Sequence, residues 1–269
     1  MIRLSIVTPT LNSAKYLPDC LESARDATPE GIKLEHIVAD GGSEDGTQSI
    51  AAAHPHVRLL EHIVGGPANA QNAGLTAATG DYVMFLMSDD MVVPGAFDSF
   101  ARLALVRPQV EMWSGGIVFF EEDLHRGRRE LNRRIPNMDG SIHLKAVLYG
   151  SPMLPSRIFK RALFEYVSPF DERYQYSNDR ELLARMYFHR VSGGVLANDI
   201  CFFRVHGKSR TAGGNLDNTL TYLREHLRWG ARMLSLGGRE SARDAMTLAG
   251  WEVYECMRYA RYRLKALFA

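Results

Sequence analysis

No apolar run in this chain approaches the ~20 residues that a helix needs to cross a bilayer, so nothing in it reads as a membrane-spanning segment. Cysteine is scarce. Cys20, Cys201 and Cys256 lie far apart with no C-x-x-C pairing, which excludes a zinc ribbon or a disulfide framework and fits a reducing compartment. Charge of one sign is missing too: 32 Lys and Arg against 31 Asp and Glu leave a formal net charge of +1, so the total points to no nucleic acid or acidic polymer. The chain enters an apolar strand pattern at once, without a basic leader or cleavage site, so the expectation is no signal peptide. A soluble cytoplasmic protein is expected, with the inner face of the membrane as a further location. Internal repeats and low-complexity segments are absent. What is present is a 46% hydrophobic chain of 269 residues, enough for one large α/β domain or for one domain plus an appendage.

The first hundred residues alternate strand and helix. Leu4 to Val7 reads as a strand that ends near Pro9, and Leu17, Cys20, Leu21 and Ala24 follow at helical spacing. Leu34 to Ala39, Val57 to Leu60 and Tyr82 to Met87 read as further strands, separated by helices over Asp45–Ala53 and Pro67–Ala78. Such alternation implies a mostly parallel sheet with helices on its faces, and in such sheets ligands bind beyond the carboxyl ends of the strands. Thr8-Pro9-Thr10, Asp40-Gly41-Gly42-Ser43 and Ser88-Asp89-Asp90 all fall at strand ends. After Asp90 the rhythm changes. Helices are expected over 94–106, 158–166 and 181–188, strand-like residues over 112–120 broken at Gly115-Gly116, and a strand near 200–205. Residues 121–137, with Arg126, Arg128, Arg129, Arg133 and Arg134, read as a mobile loop, and a mainly helical tail begins at about Leu216.

Adjacent carboxylates after a buried strand suit Mg²⁺ or Mn²⁺, which take one or two carboxylates together with substrate phosphates. By residue type alone, Ser88-Asp89-Asp90 serves equally well as a helix cap. Asp40 at its strand end is placed to accept hydrogen bonds from a base or ribose, and the glycines after it equally make a tight turn.

Taken together, three spaced blocks resemble family 2 glycosyltransferases of the GT-A fold: Ser5-Ile6-Val7-Thr8-Pro9-Thr10-Leu11-Asn12, then Asp40-Gly41-Gly42-Ser43-Glu44-Asp45-Gly46-Thr47, then Ala70-Gln71-Asn72-Ala73-Gly74 leading to Leu86-Met87-Ser88-Asp89-Asp90. The resemblance is strong over roughly the first hundred residues and thins towards about residue 210. It implies a GT-A catalytic domain over 1–215, a Rossmann-like, mostly parallel sheet flanked by helices, with a nucleotide-binding half (1–100), an acceptor half (101–215) and a helical extension (216–269). It further implies that Thr8, Pro9 and Asp40 meet the nucleotide, with Asn12, Ser43 and Asn72 beside it. Asp89 would serve the ribose and Asp90 the metal.

The same resemblance implies an acceptor-side base in the segment Ser177-Asn178-Asp179-Arg180-Glu181. Asn178 stands where the family often has Glu, leaving Asp179 as base candidate and Glu181 as the alternative acid; Asp179 also reads as a helix cap. Arg204-Val205-His206 is similar to a late arginine-x-histidine in such enzymes, making His206 a candidate metal or diphosphate ligand, with Lys208 and Arg210 as phosphate neutralisers. The tail mixes apolar and aromatic residues with arginines. It reads either as a membrane-surface helix or as a hairpin packed on the catalytic domain or on another subunit. The function expected is inverting, Mn²⁺- or Mg²⁺-dependent transfer of a sugar from a nucleotide-sugar, a UDP-sugar first, to a saccharide or lipid-linked acceptor. A non-catalytic nucleotide-sugar binding module of the same fold is the alternative.

Overall fold

The structure is a computed structural model that describes residues 1–123, 127–134, 140–150, 153–207, 216–237 and 241–267. Arg126, Lys208 and Arg210, named above, lie outside them. The chain forms two compact units: Met1–Ser141 with Met153–Phe170 and Val191–Val205, and Ile142–Pro152 with Asp171–Arg190 and His206–Ala269.

The first unit is a nine-stranded mixed sheet with helices on its faces. Its strands are β1 (Ile2–Thr10), β2 (Ile32–Asp40), β3 (Val57–Leu60), β4 (Tyr82–Phe85), β5 (Met91–Val92), β6 (Met112–Asp123), β7 (Gly127–Arg134), β8 (Arg157–Lys160) and β9 (Gly193–Arg204). They lie in the order β3-β2-β1-β4-β8-β6-β9-β5, and β7 pairs with β6. β3, β2, β1 and β4 are parallel, the arrangement expected of strands joined by helical crossovers. β8 then enters antiparallel between β4 and β6.

The helices α1 (Leu17–Asp26), α2 (Thr47–Ala52), α3 (Pro67–Ala77), α4 (Asp98–Val106) and α6 (Leu163–Val167) belong to this unit. All of β4 is buried, which explains its unbroken apolar sequence. Met84 and Leu86 join Leu4, Ile6, Phe100 and Trp113 in one core cluster, while the Phe85 ring meets Phe159, Phe164 and Phe170.

α3 approaches β1 closely because Gly74 has no side chain: a Cβ there would lie 2.3 Å from Val7 Cγ1. Gly74→Ala would gain ~1 kcal/mol of helix propensity against an overpacking cost of ~1–3 kcal/mol. Val7 is fully buried and has nowhere to retreat, so a net loss of about 1 kcal/mol is expected in urea denaturation. A gain in stability would show that α3 can shift outward.

Three expectations need correction. Residues 158–166 are not one helix but β8 followed by α6, because Ile158 and Phe159 are drawn into the sheet beside β4 and β6. Within the span read as a mobile loop, Gly127–Arg134 is a strand paired to β6. Its arginines find partners: Arg128 lies over the Phe120 and Phe202 rings, Arg133 binds Asp199, and Arg129 binds Glu121. The strand over 112–120 is also unbroken at Gly115-Gly116, which the register absorbs as shifts against β9.

The second unit contains α5 (Leu144–Tyr149), α7 (Asn178–Phe188), α8 (Leu216–Gly237) and α9 (Ala242–Leu267). Trp229 of α8 and Trp251 of α9 are fully buried with ring centroids 4.7 Å apart, and the ring of His226 lies against both. Among the described residues, no helix is long and apolar enough to cross a membrane.

Candidate active site

Three parallel strands end side by side, and hydrogen bonds tie the loops beyond them into one rim. β1 and β2 run in register as far as Thr10 opposite Asp40, and β4 flanks β1 on its other side. Asn12 then turns with φ 52°. Its N–H donates to Ser43 Oγ at 2.8 Å, and its Oδ1 accepts the Glu44 N–H at 3.0 Å. The Ser13 N–H donates to Thr47 Oγ1 at 2.8 Å and the Ala14 N–H to Asp45 Oδ2 at 3.0 Å. Ser13 and Ser88 share a hydroxyl–hydroxyl bond of 2.8 Å, which joins the third loop to the first. The three sequence blocks thus meet where a parallel sheet collects its ligands.

Asp40 organises this rim. Its carboxylate accepts from Thr10 Oγ1 (2.8 Å), Gly42 N (3.0 Å), Ser43 N (2.8 Å), Ser43 Oγ (2.5 Å) and Gln48 Nε2 (2.7 Å). A carboxylate has about four lone-pair sites, so these five donors leave Asp40 none to spare. Burial opposes ionisation, yet the bonds from Ser43, Gln48 and Thr10 outweigh it and hold the carboxyl below its usual range. Gly42, at φ 93°, permits the turn that aims two successive N–H groups at Asp40.

Two other expected nucleotide contacts are turned to structural tasks. The side chain of Thr8 is fully buried, with its hydroxyl 2.9 Å from His36 Nε2, so it offers the rim only backbone. Pro9 alternates to the other side of β1 and is partly exposed. Asn72 clasps the backbone of Phe170, donating to its carbonyl at 2.9 Å and accepting its N–H at 3.0 Å.

The acid pair follows β4, with Asp89 partly exposed and Asp90 buried. Asp90 Oδ1 accepts the Arg204 N–H at 3.0 Å, while its Oδ2 has no hydrogen-bond partner. Burial, then the charge of Asp89, push the Asp90 carboxyl well above the ordinary carboxylate range, against the pull of Arg204. Arg204 ends β9 and is itself buried. Its Nε donates to the Asp89 carbonyl at 2.8 Å, its other nitrogens reach Asp19 at 2.9 Å and Glu122, and the guanidinium lies over the Tyr16 ring at 4.6 Å. The acid loop is therefore held by an arginine more than a hundred residues away in sequence. Nearby Cys20 and Cys201 are buried, which pushes both thiols up and leaves them unreactive.

In the second unit Asp179 lies in the first turn of α7, partly exposed, with Oδ1 accepting the Arg180 N–H at 2.7 Å. Burial raises its carboxyl above the usual range, opposed by Arg180 and assisted by Glu225. Glu181 is a poor alternative, since it is 1% exposed and both its oxygens accept from Arg185 Nε, at 2.8 and 3.0 Å. Arg180 turns away to the carbonyls of Val147, Leu148 and Gly150 and to the Tyr222 hydroxyl. The loop before α7 is clamped by buried Glu225 of α8, which accepts the N–H groups of Gln175 (2.7 Å), Tyr176 (2.8 Å) and Ser177 (2.9 Å). His206 lies two residues beyond β9 in this unit, partly exposed.

The sequence model of glycosyl transferase family 2 matches residues 5–166, more than half of the chain and all of the rim. The chain belongs to glycosyl transferase family 2. It is 31% identical over 189 residues to a PGL/p-HBAD biosynthesis glycosyltransferase of Mycobacterium bovis (strain BCG / Pasteur 1173P2), covering 68% of this chain and 69% of that protein. It is 36% identical over 107 residues to the uncharacterized glycosyltransferase YibD of Escherichia coli (strain K12), covering 38% of this chain and only 30% of that relative. Among solved structures it resembles the mannosyltransferase PcManGT of Pyrobaculum calidifontis in complex with GDP-Man and Mn²⁺, with TM-score 0.65, 19% identity and coverage of 100% of this chain and 76% of that one. S. aureus TarS 1–349 in complex with UDP-GlcNAc gives TM-score 0.63 at 18% identity, covering 98% and 73%. These likenesses show the fold of this family 2 glycosyltransferase, a GT-A-type α/β sheet flanked by helices with further helices at the C-terminal end.

Among the described residues, no group of three or more His, Cys, Asp and Glu side chains could hold a metal ion. The unpartnered Oδ2 of Asp90 is a hard oxygen of the kind that a divalent Mg²⁺ or Mn²⁺ ion takes. Two structural residues carry more of this family 2 site than their sequence context announced. Arg204 drew notice only as a neighbour of His206, and Glu225 sat unremarked in the tail. A charged residue on an aromatic helix face, as at Glu225 between Tyr222 at i−3 and Trp229 at i+4, is the signal that points to it.

Proposed function

We propose that this family 2 enzyme transfers a sugar from a nucleotide diphosphate donor, with inversion, to a hydroxyl of a saccharide or lipid-linked acceptor in polysaccharide or glycoconjugate synthesis. The observation that carries the reading is the hydrogen-bonded rim that joins Asn12, Ser43 and Ser88 to the Arg204-held acid pair. Nucleotide contact would come from the Pro9, Asn12 and Ser43 loops, with Thr8, Asp40 and Asn72 shaping them from behind and Asp89 on the ribose side. UDP-sugars are the first donor class. A guanosine donor is the second, since the fold neighbours were solved with UDP-GlcNAc and with GDP-Man.

Asp179 takes the proton of the acceptor hydroxyl as its oxygen bonds to the anomeric carbon. The bond from that carbon to the diphosphate oxygen breaks, and the electron pair leaves with the nucleotide. Mn²⁺ or Mg²⁺, held by Asp90 and completed by His206 or the diphosphate, would supply Lewis-acid stabilisation of that leaving group. Residues 1–215 are proposed as the catalytic domain and 216–269 as its extension, with Glu225 bracing the base segment from the extension.

A panel of nucleotide-sugars with Mn²⁺ tests this by thermal shift and donor consumption. At a hundred times the dissociation constant, the true donor should stabilise the protein by about 2.7 kcal/mol. Chelation and Asp90→Ala should each abolish consumption. Binding that ignores the metal, with no turnover on any donor and acceptor, would make the chain a non-catalytic nucleotide-sugar module instead.

A further inference from the structure

α9 is turned against its own composition. Four of its larger apolar side chains face solvent: Met246 is 70% exposed, Val253 62%, Met257 68% and Leu264 57%. With exposed Gly250 and Ala260 they follow one another at alternating spacings of four and three residues, which keeps all six on one face over ~27 Å. The three acids of the helix point elsewhere. Asp244 accepts from the Tyr187 hydroxyl at 3.0 Å, and Glu255 is 1% exposed between His226 and Arg258. Glu252 Oε1 is buried at Gly230 of α8, only 1.6 Å from where a Cβ would stand. A helix whose outer face met water alone would carry the reverse pattern.

The exposed charges beside the apolar stripe are Arg243, Arg261 and Arg263, and among the described residues no acid of α9 is exposed. We infer that this face of α9 lies on an anionic membrane surface. Met246, Val253, Met257 and Leu264 enter the acyl boundary, while Arg261 and Arg263 reach back to lipid phosphates. The stripe's spacing also suits pairing with a second helix, but a second copy of α9 would bring the same cations and no exposed acid to meet them. An anionic bilayer supplies both the apolar phase and the countercharge. The helix lies on the surface and does not cross it, since it is not apolar enough to span. Nothing in this inference depends on the roles given to Asp90 or Asp179.

Vesicle co-sedimentation of the full chain tests it, comparing pure phosphatidylcholine with phosphatidylcholine containing phosphatidylglycerol. The chain should bind the anionic vesicles and neglect the neutral ones, and high salt should weaken the binding. Arg261→Gln with Arg263→Gln should weaken it about thirtyfold, from ~1 kcal/mol per cation. Met246→Ser with Val253→Ser and Met257→Ser should weaken it at least tenfold, while the circular-dichroism melting curve stays in place because none of the three side chains is buried. Wild-type protein that ignores anionic vesicles would overturn the inference, as would a triple-serine variant that binds like wild type. A concentration-dependent dimer, dissolved by the serine variant and indifferent to lipid, would assign the face to a second copy.

Discussion

Asp179→Asn is expected to lower the rate of sugar transfer by about 10²–10⁴-fold while nucleotide-sugar affinity is unchanged. Asparagine has the size of aspartate and still offers an oxygen to the Arg180 N–H, so the first turn of α7 keeps its 2.7 Å bond. What it loses is the ability to take a proton. Burial raises the Asp179 carboxyl above the usual range, which makes it a stronger base at the cost of being protonated over a wider span of acid pH. The wild-type rate should therefore rise with pH through that elevated range and then level off, and the variant should lack the rise. Donor affinity measured by titration separates the roles. Parallel loss of affinity and rate would make Asp179 a structural or donor-binding residue, and an unchanged rate would remove it from the chemistry.

Arg204→Met is expected to cost about 3 kcal/mol of folding stability, read as a lower urea midpoint, and to remove most donor turnover. Loss of one member of a buried charged network costs ~3–5 kcal/mol. The low end applies because Asp19 and Glu122 are about half exposed and water can replace their share. The remainder comes from the Asp89 carbonyl, which loses its donor, and from Asp90, which keeps its bond to the backbone N–H of residue 204 but loses the nearby positive charge. Arg204→Lys restores a charge but not the fork that reaches Asp89, Asp19 and Glu122 together, so it should recover stability better than activity. Equal recovery of both would reduce Arg204 to a source of charge.

The parallel half of the sheet was legible because its strands carry short apolar runs that become buried, such as Ile6-Val7, Ile37-Val38-Ala39 and Tyr82 to Phe85, and because α1, between the first two strands, is amphipathic. β4 was readable from Tyr82 to Phe85 for that reason, and the polar strand ends declared the rim. β8 was not legible: Ile158, Phe159, Ala162, Leu163 and Tyr166 fall at helical spacing, and only pairing with β4 and β6 makes a strand of the first part. β7 was hidden by its arginines, whose stacking on Phe120 and Phe202 and pairing with Asp199 stabilise a strand that its residue types alone do not favour. The candidate site divides the same way. Asp40 was visible as a strand-end acid, yet its five donors, which make it the organiser of the rim, come together from the end of β1, the loop after β2 and the first turn of α2.

Local pattern alone determined the strand–helix alternation, the three strand-end motifs and the acid pair, since each depends on neighbours within a few residues. Only tertiary structure decided which carboxylate is buried, that Arg204 and Glu225 hold the two acid segments, and that α9 turns its methionines outward. Those outcomes depend on which side chains share a low-dielectric interior, and residues 90 and 204, or 177 and 225, come together only when the chain has folded.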